Sequence, residues 1–169
     1  MPRRGRSQLT KQTVFFVTST VRGWEKAFDS SMRMEGLRDI LFKAVAKYKA
    51  RLFGYALMPD HMHLLVELSG GGPMLSQFMR DIKSLSSRLI FPGKGAVWMP
   101  RFDDVTIYSE NQFRTKLTYI HNNPVKAGLA NRPEIYKYSS ARNWLLGVED
   151  QAICTDISSR QARSPDGTL

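Results

Sequence analysis

One cysteine, Cys154, stands in a chain of 169 residues. A lone thiol excludes an internal disulfide and any cysteine-rich zinc site, and it fits a reducing, cytoplasmic setting. No run approaches the roughly 18 apolar residues that a transmembrane helix needs, so no membrane partner is expected. The basic start (Arg3, Arg4, Arg6) precedes an apolar stretch, Val14 to Val17, that is too short for a signal-peptide core and lacks a small-residue cleavage pattern. The glycines at 70–72 and 93–95 do not make a phosphate loop, because the Gly-Lys-Ser/Thr ending and its strand–loop–helix frame are missing. Acidic residues are in deficit: 15 Asp and Glu face 25 Lys and Arg, a net charge of +10. Phosphate backbones attract such a surface and release counterions when they bind. The plain alternative is a soluble basic protein that binds polyanions without preference. The excess is concentrated early, since up to Asp60 there are 12 basic and 5 acidic residues.

What is present supports one compact domain. Hydrophobic residues make up 42% of the chain, enough for a core without disulfides or structural metal. Residues 1–12 read as a flexible basic arm. Thr13 to Val21 is rich in Val, Phe and Thr and reads as a strand. From Met32 to Ala50 apolar residues recur at helical spacing (Leu37, Ile40, Leu41, Ala44, Val45, Tyr48). Arg51 to Met58 and His61 to Leu68 read as a hairpin around Pro59-Asp60. Ser69 to Pro73 reads as a loop, Met74 to Ile90 as a second helix carrying Arg80, Lys83 and Arg88, and Phe91 to Ala96 as a Gly/Pro loop. Val105 to Tyr108 is a short strand. Glu110 to Asn122 is a third helix with Ser109 as N-cap, ended by Pro124. This order predicts an α+β fold of the ferredoxin-like, split βαβ kind: an antiparallel sheet with helices on one face, plus an added C-terminal helix. The domain spans 13–148, and residues 149–169 form a polar tail expected to be disordered.

Three constellations carry chemistry. His61 and His63 lie two apart on a strand, so both imidazoles point to one face and can converge on one ion, while Met62, Leu64 and Val66 face the core. Chance, or two hydrogen-bonded imidazoles, is the bland alternative. Tyr119 and Asn123 lie four apart on a helix and share a face, so a phenol and an amide oxygen can approach one point. Asn123 precedes proline, however, a position biased away from helical geometry. His121 should point elsewhere, to the core or to DNA. Trp98, Arg101 and Phe102, with Arg114, Lys116 and Lys126, combine aromatics that can stack on unpaired bases with cations that can follow phosphates. Core aromatics and solvated charges explain the same residues equally well.

Two long motifs, Tyr55-Ala56-Leu57-Met58-Pro59-Asp60-His61-Met62-His63-Leu64-Leu65-Val66 and Tyr119-Ile120-His121-Asn122-Asn123-Pro124-Val125-Lys126-Ala127-Gly128-Leu129, resemble those of the HUH single-tyrosine transposases, most closely the REP-associated branch. Tyr138-Ser139-Ser140-Ala141 and the stretch from Trp98 to Phe102 also look familial, and the likeness runs from about Thr13 to Trp144. The resemblance implies that His61 and His63 are the paired metal-binding histidines and that Asn123 completes the site where relatives outside this branch often place glutamine. It implies Tyr119 as the nucleophile of a 5′-phosphotyrosine link, with Mg2+ or Mn2+ as cofactor. The implied substrate is single-stranded DNA folded as imperfect-palindrome hairpins. Some members of the family work as homodimers that share active sites, a property that does not extend to every branch, the REP-associated one in particular, so both a homodimer and a monomer stay open. The hairpin stem would lie on the arm (Arg3, Arg4, Arg6) and on basic helix faces that include Lys83 and Arg88. The rivals are a catalytically silent hairpin DNA- or RNA-binding protein of the same fold, an RNA-binding ferredoxin-like module, and a relaxase-type nickase.

Overall fold

The computed structural model describes residues 12–157. Strand β1, Gln12–Thr20, leads through a short turn at Arg22–Trp24 to helix α1, Ser31–Lys47. Ser30 caps α1 by accepting a hydrogen bond from the Arg33 amide. Strands β2, Arg51–Leu57, and β3, His61–Ser69, form the expected hairpin. Helix α2, Gly71–Ile90, is followed by a loop and by β4, Asp103–Ile107. Helix α3, Glu110–Lys126, and a short α4, Ala141–Leu145, complete the described elements.

The sheet order is β2-β3-β1-β4 and each neighbouring pair is antiparallel. β1 and β2 therefore run parallel with β3 inserted between them, the split βαβ arrangement expected from the sequence. Side-chain alternation gives the sheet two buried faces. Val17, Met62, Leu64 and Val66 pack with α1 and α2, through Leu37, Leu41, Phe78 and Ile82. Val14, Phe16 and Leu65 pack on the opposite face with Phe113, Leu117 and Ile120 of α3. The added helix thus covers the face that carries His61 and His63. One contact sets how close it comes. A Cβ at Gly54 in β2 would lie 2.6 Å from Leu117 Cδ1, so glycine lets α3 sit against the strand.

Three sequence expectations are corrected. Helix α2 begins at Gly71, not Met74, because Pro73 falls in the first turn, where no intrahelical N–H partner is required. Helix α3 passes through Pro124 rather than stopping before it. An interior proline costs about 3 kcal/mol, whereas burying Phe113, Leu117 and Ile120 contributes about 1.5–3 kcal/mol each. The helix ends at Gly128 (φ 76°), where the Gly128 and Leu129 amides reach back to the Val125 and Pro124 carbonyls. Finally, residues 150–157 are not a structureless tail. Ile153 forms a parallel bridge with Leu52, the Cys154 amide donates to the Leu52 carbonyl at 2.8 Å, and Ile153 and Ile157 pack against the core. The free edge of β2 offers these unpaired backbone groups. Arg3, Arg4 and Arg6 lie outside the described residues. No helix among the described residues is long and apolar enough to cross a membrane.

Candidate active site

The start of β3 and the last turns of α3 meet at one end of the sheet. Alternation on β3 turns His61 and His63 toward α3, with ring centroids 4.8 Å apart. Asn123 reaches between them: its Oδ1 is 3.3 Å from His61 Nε2 and its Nδ2 is 3.2 Å from His63 Nε2. Continuation of the helix through Pro124 is what places Asn123 one turn beyond Tyr119. The Tyr119 ring lies edge-on to His63, centroids 5.4 Å apart, and is 46% exposed.

The distal ring nitrogens are already engaged. His61 Nδ1 lies 2.7 Å from Asp60 Oδ1, and His63 Nδ1 lies 2.9 Å from Thr18 Oγ1. A carboxylate only accepts, so Nδ1 of His61 carries a proton, and in that tautomer of the neutral ring Nε2 presents a lone pair. That lone pair faces the Asn123 oxygen, and a cation between them would turn two facing acceptors into two ligands. Burial, then the neighbouring His61 and Lys116, pushes the His63 pKa down to about 3, which keeps its imidazole neutral. Two imidazoles and an amide oxygen, each imidazole held by an outer partner, suit a divalent ion such as Mn2+. No cluster of three His, Cys, Asp or Glu that could hold a metal exists among the described residues, so the Asn123 amide oxygen is the group beside the two imidazoles that could serve as a third donor.

A cleft of about 560 Å³ opens beside the tyrosine, lined by Thr115, Thr118, Tyr119, Asn122, Asn123 and Lys126. Lys116 lies over the Phe16 ring, 4.7 Å from its centroid, and Phe16 stacks on His63. His121 faces the other way. It is buried, with Nε2 2.8 Å from Ser140 Oγ, and burial lowers its pKa to about 4.

A family model described as "Transposase IS200 like" matches residues 11–123. The chain belongs to the IS200-like transposase family. Within that family, a REP-associated tyrosine transposase of Escherichia coli (strain K12) is 27% identical over 104 residues, 62% of each chain's length, so the chain spans under two thirds of that relative. A relative from Haemophilus influenzae is 23% identical over 147 residues, covering 80% of this chain and 83% of its own length. A solved structure of a REP-associated tyrosine transposase bound to a REP hairpin matches with a TM-score of 0.71 at 23% identity, over 93% of both chains. That likeness establishes the α+β fold read from the sequence.

The nucleic-acid candidates separate by exposure. Lys126 and Lys116 border the Tyr119 region. Arg114 is exposed but pairs with Glu110 at 2.9 Å. Trp98 is 2% exposed, tilted against Phe28 and bonded through Nε1 to Ser86 Oγ, so its ring is closed to a base. The prediction of a stacking role for Trp98 is corrected on that ground. Lys83 donates to the carbonyls of Met99 and Pro100 and pins a loop. Phe102 is half-buried, while Arg88 and Arg101 are exposed. Sequence reading missed Asp60 and Thr18 as partners of the histidines. Asp60 adjoins His61 in the motif and was legible. Thr18 needed the β1–β3 register, which sets it opposite His63.

Proposed function

We propose that this chain cuts and rejoins single-stranded DNA at hairpin-forming sequences through a covalent bond to Tyr119. The observation that carries the reading is the convergence of His61 Nε2, His63 Nε2 and the Asn123 amide one helical turn from an exposed tyrosine. Membership of a transposase family and the hairpin-bound neighbour support the substrate class.

In this reading His61, His63 and Asn123 hold a divalent ion, Mg2+ or Mn2+. When bound, such an ion polarises a non-bridging phosphate oxygen and stabilises the departing 3′-oxygen. Tyr119 loses its phenol proton to solvent, which reaches the ring, and its oxygen attacks phosphorus. The bond from phosphorus to the 3′-oxygen breaks, and that oxygen leaves as a 3′-hydroxyl after taking up a proton. The 5′-phosphate stays on Tyr119. Attack by another 3′-hydroxyl reverses the step and joins a different strand, so no nucleotide cofactor is consumed. Asp60 holds the His61 ring in the tautomer that frees Nε2, and Thr18 Oγ1, which can accept from a protonated Nδ1, orients the His63 ring. Lys116 and Lys126 attract the phosphates that flank the cut.

The test is a covalent protein–DNA band on a denaturing gel, using hairpin oligonucleotides from the same genome with manganese or with chelator. A manganese-dependent band that disappears in Tyr119→Phe and in His61→Ala/His63→Ala is expected. Intact hairpin binding across many oligonucleotides with no band would replace this reading by a catalytically silent binder.

A further inference from the structure

Lys116 stands apart from other lysines of the fold. Lys47 meets Asp81 at 2.7 Å, Lys137 meets Glu35 at 2.6 Å, and Lys83 donates to two carbonyls of its loop. Lys116 is half-buried, yet among the described residues it meets no carboxylate. Its ammonium rests instead on the Phe16 ring, 4.7 Å from the centroid. Taking a cation partly out of water without a counter-ion is costly. An aromatic face offsets only part of that cost. A side chain kept in this state suits a site that receives an anion.

The shelf under the ammonium belongs to the candidate active site. Phe16 lies on β1 and is 7% exposed. It stacks on His63, with the rings 17° from parallel and centroids 5.6 Å apart, and it meets the Tyr119 ring edge-on at 5.9 Å. One ring thus touches a candidate metal ligand, the candidate nucleophile and a cation. Lys116 precedes Tyr119 by one turn of α3, so the two share a side of the helix. Burial, then His61 and then Lys116, hold the His63 pKa down, so the field of the ammonium reaches the histidines. Lys126 is different: it is exposed and sits in the last turn of α3, bordering the cleft beside Tyr119.

We infer that Lys116 is a catalytic residue whose ammonium, seated on Phe16, holds a non-bridging oxygen of the phosphate that Tyr119 attacks. The inference rests on the DNA-cutting reading and deepens it, because a lysine that only attracted flanking phosphates would need no fixed seat. As the bond from the Tyr119 oxygen to phosphorus forms and the bond to the 3′-oxygen breaks, negative charge gathers on the non-bridging oxygens. The ammonium donates a hydrogen bond to one of them throughout and gives up no proton. A cation in place before the substrate arrives need not reorganise at the moment of reaction. Strand joining passes through the same phosphorus, so Lys116 serves both directions.

The experiment uses the full chain and hairpin oligonucleotides that carry one methylphosphonate, a linkage without charge, moved one position at a time along the strand beside the stem. Binding is measured by fluorescence anisotropy with Mn2+ in a Tyr119→Phe background, where no cutting occurs. Lys116 is compared with Lys116→Gln and Lys116→Arg. Expected is a single linkage at which methylphosphonate weakens binding about tenfold more with lysine than with glutamine, arginine being intermediate. That linkage should be the one at which the covalently held fragment begins. With Tyr119 intact, Lys116→Gln should slow covalent-complex formation at saturating DNA by about 100-fold, and Lys116→Arg should restore part of the rate. Mn2+ affinity by isothermal titration should stay the same in both variants. Thermal melting checks each fold, and Lys116→Met, which keeps the stem on Phe16, replaces a glutamine variant that melts early.

Equal methylphosphonate effects in the lysine and glutamine forms at every linkage would mean diffuse attraction, and an unchanged rate would mean a lysine that only packs; either overturns the proposal. A fall in Mn2+ affinity that matches the fall in rate would place the effect on the metal and overturn it as well. The covalent band separates the two readings. No band from the wild type, with the single-linkage effect present, sinks the cutting reading and leaves the phosphate contact standing. A band that forms at the same rate in the wild type and in Lys116→Gln sinks the role of Lys116 alone.

Discussion

Nε2 of His121 and Oγ of Ser140 lie 2.8 Å apart in a buried contact that ties α3 to the edge of β2. The same hydroxyl accepts from the Tyr55 amide at 2.9 Å. His121 sits between Tyr119 and Asn123 on the helix, so this contact fixes the rotation that presents both of them to the histidines. Ser140→Ala would strand two buried polar groups, a cost of about 1–3 kcal/mol. Thermal melting should show a drop of several degrees. Covalent-complex formation should fall more than hairpin affinity does. A variant that melts early yet forms the complex at the wild-type rate would show that the contact serves stability only.

The close approach of α3 to β2 makes Gly54 a second sensitive point. Alanine there would meet Leu117 Cδ1 at 2.6 Å, and one of the two must move. Because the obstruction is the far end of a side chain, Gly54→Ala should cost about 1–3 kcal/mol rather than abolish folding. Adding Leu117→Ala makes room, so the double variant should be more stable than the sum of the single losses allows. Strict additivity in denaturant melts would mean that the clash is relieved elsewhere.

These two contacts mark where sequence reading stops. Strand order, the hairpin around Pro59-Asp60 and the same-face pairing of His61 with His63 follow from alternation, a local property. Whether Asn123 belongs to the site does not. A proline after it argues for a helix end, and only the burial of Phe113, Leu117 and Ile120 on the sheet makes continuing the helix favourable. Trp98 misled for a similar reason: its composition context fits a stacking aromatic, but Ser86 and Phe28, distant in sequence, enclose it. The segment around Ile153 carries too little apolar pattern to be read as structured, and it is the unpaired edge of β2 that orders it.

The outer partners of the histidines predict metal affinity. Thr18→Val keeps the shape of the side chain but removes the oxygen beside His63 Nδ1, and Asp60→Asn removes the charge beside His61 Nδ1. Each should weaken Mn2+ binding by roughly 10–100-fold, with melting little changed in the presence of chelator. Isothermal titration with Mn2+ measures this directly. Affinity unchanged in both variants would remove these residues from the site and weaken the case for His61 and His63 as ligands.

The two buried histidines also set a pH window for stability. Burial lowers the His121 pKa from 6.5 to about 4, and burial followed by His61 and Lys116 lowers His63 from 6.5 to about 3. Below pH 6.5 the unfolded chain takes up protons that the folded chain refuses. Stability is therefore complete above pH 6.5 and falls as the pH drops from there toward 4 and then 3, by up to about 1.4 kcal/mol per pH unit for each histidine. Melting with chelator present, so that metal does not hold His63, should show a steep acid limb between pH 6.5 and 4. His121→Gln keeps a group able to bond Ser140 but cannot titrate, so its limb should be shallower and its stability at pH 4.5 closer to its own value at pH 7. An identical acid limb in the variant would mean that His121 is reached by protons in the folded chain, and the buried tie between α3 and β2 would have to open at that pH.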